Sequence, residues 1–363
     1  MEATRVGDRV DWGLAAATGR RLSRPGPPTT AYTRDRAAEQ LLEFAAAAET
    51  HVRDVTGLAF GAPTRPARVV DRPEWISAAA ASMETMLGSA DPAPAKRPSG
   101  VLDRVSALGT KVGEGAAGVQ AGLLLAFLSG AILGQFDPFA RAADEQEGEL
   151  LLVAPNVIGV ERALDLVPSD FRMWVCLHEV THRVQFAATG WLAGYMKENV
   201  DALTASAPES TAEVLERIVA GLRHDPDDDA ARRQPGMLGA LQLLQGPEQF
   251  AATSNLLMLG TLLEGHADHV MDAVGPSVVP TVAEIRTAFD RRRERPQNPV
   301  RRVLRALLGM DAKIAQYVRG KAFVDAVVSE VGMERFNRVW TSPETLPRPA
   351  DLDDPSAWIA RTA

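Results

Sequence analysis

Residues 171–188 contain neither proline nor glycine, and at their centre the chain reads Leu177-His178-Glu179-Val180-Thr181-His182-Arg183-Val184-Gln185-Phe186. Positions four apart share a face of a helix, so His178 and His182 point the same way and can grip one metal ion, with Glu179 to one side. Neutral imidazole is a good zinc ligand, and a zinc site with an open position makes water nucleophilic near neutral pH. Glu179 is placed to accept the proton such a water gives up. Pro168-Ser169-Asp170 supplies a stop and N-cap residues ahead of this helix. Trp174, Val175, Leu177 and Val184 surround the motif with apolar side chains, which predicts a buried helix. Histidines and a glutamate buried together are costly unless they are paired or metal-bound. The competing reading is a core helix whose histidines are satisfied by coincidence.

Two histidines leave a tetrahedral zinc short of one protein ligand, with water in the fourth place. The candidate for the third lies in Leu262-Leu263-Glu264-Gly265-His266-Ala267-Asp268-His269, flanked by apolar residues that again read as a buried helix. Glu264 and Asp268 are four apart and share a face, which suits Glu264 as ligand and Asp268 as the acceptor that fixes the tautomer of a ligating histidine. His266 and His269 are rival third ligands off that face, and acidic residues merely facing solvent are the plain alternative. His266, or a tyrosine such as Tyr195, could instead stabilise an oxyanion. Glu198 sits between Lys197 and Asn199 and reads as exposed, as do His51 and His224.

The remaining chain sets the frame. Alanine and leucine are abundant and only 6% of residues are aromatic, which predicts a mainly α fold. A net charge of −8 argues against a nucleic-acid binder, and the cluster Arg291-Arg292-Arg293-Glu294-Arg295 reads as a solvated helix end. Cys176 is the single cysteine, which excludes an internal disulfide and fits a reducing compartment; half a turn from His178, it is expected to be buried and inert. The N-terminus lacks the layout of a signal peptide, and Ala121-Gly122-Leu123-Leu124-Leu125 onward to 134 is too short to span a bilayer, so a buried core helix and a cytoplasmic protein are expected.

Helices are predicted over 36–55, from Pro73 onward, over 101–133 as one interrupted or two, over 209–222, around 256–274 and over 303–331. Residues 88–100, 144–149 and 223–236 read as polar loops, and the aspartates of the last do not follow a calcium-loop pattern. Leu150-Leu151-Leu152-Val153-Ala154-Pro155-Asn156 could be a strand or a buried loop; as a strand it is the candidate edge beside the metal helix. The proline-punctuated tail from Trp340 is expected to wrap the surface. The chain divides into an N-terminal helical part (1–150), a metal-site core (151–280) and a C-terminal helical part (281–363) of one domain.

His178-Glu179-x-x-His182 with a distant Glu264 resembles the gluzincin type of zinc peptidase. More narrowly, the chain resembles an actinobacterial zinc-metalloprotease-like family associated with biosynthesis of coenzyme F-420, the deazaflavin redox cofactor. Val69-Val70-Asp71-Arg72-Pro73-x-Trp75, Leu133-Gly134-Gln135-Phe136-Asp137, Val153-Ala154-Pro155-Asn156, the stretch 174–186 and Gln316-Tyr317 with Phe323-Val324 carry that resemblance. It implies a mainly helical, zincin-like metallopeptidase core with a small edge sheet near the metal helix, and hydrolase activity with no stated substrate. The expectation is therefore a zinc-dependent hydrolase of peptides or proteins: His178, His182 and Glu264 as ligands, Glu179 as general base, and His266 or Tyr195 as oxyanion donor. The alternative is a non-catalytic zinc protein, structural or accessory to deazaflavin coenzyme biosynthesis, although a structural site needs no general base.

Overall fold

The computed structural model describes residues 10–63, 65–88, 101–141, 147–204, 247–294 and 310–363. The loop expected at 223–236, the one expected at 88–100 apart from Gly88, the helix expected at 209–222 and Arg295 of the arginine cluster lie outside them, while 291–294 of that cluster form a helix end. In chain order come α1 (Trp12–Leu22), α2 (Ala31–Thr56), α3 (Arg72–Leu87), α4 (Val101–Leu128), α5 (Ala154–Ala163), α6 (Pro168–Ala188), which carries His178 and His182, and α7 (Leu192–Thr204). Then follow α8 (Pro247–Val274), α9 (Val282–Glu294), α10 (Met310–Phe336, kinked at Gly332), three short 3-10 turns and α11 (Pro355–Arg361). Strands β1 (Arg68–Val70), β2 (Gly134–Arg141) and β3 (Glu147–Val153) complete a mainly α fold with one small sheet.

The sheet runs β1-β3-β2, with β1 parallel and β2 antiparallel to β3. The apolar run at 150–153 is thus the central strand rather than the edge: Leu150, Leu151, Leu152 and Val153 are all buried, with helices on both faces. The outer strands are β1 and β2, and β2 lies in a stretch read as the end of a helix. Pro138 lacks a donor N–H, which confines it to an outer strand, and the register slips between Asp137 and Arg141. Ala154-Pro155-Asn156 opens α5, with Pro155 in its first turn, where the missing N–H costs nothing.

Local chemistry fixes the helix starts. Asp71 and Glu74 form a reciprocal capping box on α3, and Thr30 caps α2, which begins at Ala31, five residues before the expected start. At α6 the cap position is Val167, without a side-chain cap; Pro168 takes the first turn, and Asp170 accepts from the N–H and hydroxyl of Thr281.

Three apolar clusters hold these elements. The first gathers α2, α5, α6, β3 and the end of α8, with Phe171, Leu177, Val180, Val184, Val270 and Met271 inside it. The second joins α7, the middle of α8 and α10 to the C-terminal tail, whose Trp340, Leu346 and Trp358 are buried; the tail is core, not wrapping. The third packs α1, α3 and α4 on the sheet. Here α4 departs from the expected buried helix: Leu125 faces inward, while Leu123, Leu124 and Phe127 stay exposed. Two buried ion pairs anchor α6. Arg183 and Arg53 converge on Glu49 of α2, and Arg172 forks onto Glu161 of α5 at 2.7 and 3.0 Å.

Candidate metal centre

Buried residues occur on every side of α6, from Phe171 to Gln185, so its polar groups must find partners inside the protein. His178 and His182 meet through their Nε2 atoms, 3.3 Å apart. Across from them α8 delivers Glu264, with Oε2 3.5 Å from His178 Nε2 and Oε1 3.8 Å from His182 Nε2. Among the described residues, these three form the group whose donor atoms converge as metal ligands would, all within 4.8 Å of one another. Two nitrogens held about 2.0–2.1 Å from one tetrahedral zinc lie roughly 3.3–3.4 Å apart. The observed spacing fits that ion, and the three side chains remain 14–30% exposed, so the group opens to solvent.

Glu179 lies buried beside this group. Burial pushes its carboxyl up to about 7; the charge of His182 opposes the shift and that of Glu264 adds to it. The start of β2 lies directly on Glu179, since a Cβ built on Gly134 would fall 2.6 Å from its Cγ. Phe136 of the same strand packs on Phe186 of α6, ring centroids 5.5 Å apart.

The other residues singled out in the sequence fall elsewhere. His266 is fully buried, stacked on Phe336 and edge-on to Trp340, and its Nδ1 meets Gln185 Nε2 at 2.9 Å. His266 is thus enclosed, whereas the three converging donors are partly exposed. Burial, then the charges of His269 and His182, push its pKa down to about 3, so the ring is neutral. His269 pairs through Nδ1 with Asp325 at 2.7 Å, away from the converging donors. Tyr195 stands edge-on to Trp191 in the second core. Asp268 faces Arg286 at 3.8 Å, and its carboxyl is raised by burial against the pull of His178 and Arg286. At His182 the acceptor is Gln185, whose Oε1 lies 3.0 Å from His182 Nδ1. Cys176 is buried against the Leu41 carbonyl, and burial pushes its thiol pKa up. Glu198 is exposed.

Gln185 and Gly134 were the residues missed. Gln185 carried one signal, an uncharged polar side chain three residues past His182 on an apolar helix. Gly134 carried none, because its role depends on a strand crossing 45 residues away in the chain.

The model of one family matches residues 10–359, nearly the full length. The chain belongs to the zincin-like metallopeptidase family. A solved structure from Chloroflexus aurantiacus, described as "a putative hydrolase with a novel fold", is similar to this zincin-like chain at 29% identity and a TM-score of 0.65. The match covers 97% of this chain and 98% of that one. No curated protein matches. Among the described residues of the zincin-like chain, no helix is long and apolar enough to cross a membrane.

Proposed function

We propose that the chain is a zinc-dependent hydrolase of amide bonds, a peptidase, in which His178, His182 and Glu264 hold the ion and Glu179 is the general base. The convergence of these three donors beside a buried glutamate carries this reading. When bound, zinc supplies Lewis acidity and makes water nucleophilic near neutral pH. Glu179 takes the proton from the attacking water and returns it to the leaving amine. As the outer strand over Glu179, β2 offers its edge to an extended peptide or protein substrate, the main-chain pairing that sheet edges provide. The exposure of the donors supports catalysis over a structural ion, because structural zinc sites close their fourth position. Nothing in this geometry depends on the coenzyme F-420 setting of the sequence resemblance.

The test pairs metal content with turnover. Elemental analysis of purified protein should give about one zinc per chain, lost in Glu264→Ala. Glu179→Gln should keep the zinc and lower the rate on a peptide library by roughly 10²–10⁴-fold. Zinc unaffected by Glu264→Ala, or turnover that survives Glu179→Gln, overturns the corresponding assignment.

A further inference from the structure

Gln185 is fully buried between α6 and α8, and its amide makes three contacts. Oε1 lies 3.0 Å from His182 Nδ1, while Nε2 lies 3.0 Å from the Leu263 carbonyl and 2.9 Å from His266 Nδ1. A carbonyl oxygen only accepts, so the amide end facing Leu263 is the NH2 group. The other end is therefore oxygen, and His182 must donate to it from Nδ1. That leaves a lone pair on His182 Nε2, the atom facing His178 and Glu264. The second amide hydrogen points at His266 Nδ1, which must be unprotonated, so His266 carries its proton on Nε2. That Nε2 is buried without a hydrogen-bond partner, beside the rings of Phe336 and Trp340.

We propose that Gln185 and His266 are positioning residues that select the tautomer of His182 and hold its Nε2 lone pair toward the metal position. The assignment rests on the metal-site reading above and adds residues to it. An imidazole suits position 266 because its flat ring packs among aromatic groups while presenting an acceptor to a buried amide hydrogen. The unpartnered Nε2–H is the cost of that acceptor. Through the Leu263 carbonyl, the same amide ties His182 to the backbone next to Glu264. One side chain thus sets two ligands, from two helices, relative to each other.

The experiment compares the full-length protein with Gln185→Leu and His266→Phe. Zinc affinity is measured by competition with a chromophoric chelator, and the ring nitrogens of the metal-free, histidine-labelled proteins are read by 15N NMR. His182 should be protonated at Nδ1 in the metal-free wild type and revert to a mixture of tautomers in Gln185→Leu. Zinc affinity should fall by roughly 10–100-fold in Gln185→Leu, as for other groups that orient metal ligands. It should fall by a smaller factor in His266→Phe, which keeps an aromatic ring and removes the acceptor together with the unpartnered Nε2–H. A wild-type His182 protonated at Nε2 overturns the proposal, as does unchanged affinity in His266→Phe. If Gln185→Leu does not fold, the wild-type spectrum and His266→Phe still decide. A wild type that holds no zinc overturns the metal-site reading instead, and the tautomer spectrum then judges the pair on its own.

Discussion

A methyl group at position 134 would occupy space already taken by the Glu179 side chain and would lie 3.0 Å from the Leu151 carbonyl. Gly134→Ala therefore has to shift the Glu179 side chain or the strand. A displacement near 1 Å costs on the order of 10²-fold in rate when it falls on a reacting group. The expected outcome is a large loss of kcat with zinc content unchanged, measured on the same preparation. Asp137, three residues along β2, gives a different prediction. Burial holds its carboxyl above the ordinary range, partly offset by the Ser82 hydroxyl and the Phe139 N–H. A carboxyl raised in the folded state binds its proton more tightly there than in the unfolded chain. Its contribution is favourable at low pH and is lost as pH rises from the unfolded value through the raised one. Asp137→Asn keeps an acceptor for both donors and should flatten stability across that window, read from denaturant midpoints at several pH values.

At the scale of elements, periodicity located the long helices because one turn repeats one face, and α2, α6 and α8 show that repeat over many turns. The sheet was harder to read. The three residues of β1 are too few to alternate, and β2 carries a glycine and a proline that resemble a helix end. The donor set was legible because His178 and His182 are local in sequence and an acidic pair in an apolar helix is rare. The burial of His266 was not, since it depends on α10 and the tail folding over α8. Asn156 shows how separate motifs become one structure. It donates to the carbonyls of Ser129 and Ile132 and accepts from Arg72, while Trp75 donates to Gln135. The crossing of α8 and α10 is equally tight. A Cβ at Gly265 would run into the backbone carbonyl of Gly320. Gly265→Ala should force the helices apart and destabilise the protein by about 1–3 kcal/mol, measurable by urea denaturation.

For the whole molecule, the decisive feature is that α8 belongs to two cores. Leu259 and Leu262 pack in the cluster with α10 and the tail, whereas Val270, Met271 and Val274 pack in the cluster with α2 and α6. Glu264 falls between these two stretches, opposite histidines fixed in the first core. An ion that binds only the folded chain stabilises it by about 4 kcal/mol at a thousandfold excess over Kd. Removing zinc with a chelator should therefore lower the melting temperature by several degrees, and Glu264→Ala should make the protein insensitive to added zinc. Because α8 runs through both cores, whatever grips position 264 restrains the second core together with the first. On the metal-site proposal, protein stripped of zinc should open more often and be cut faster by an added protease than protein loaded with it. The lifetime of this protein against that protease should therefore follow zinc supply, a dependence set by where one glutamate falls along a helix.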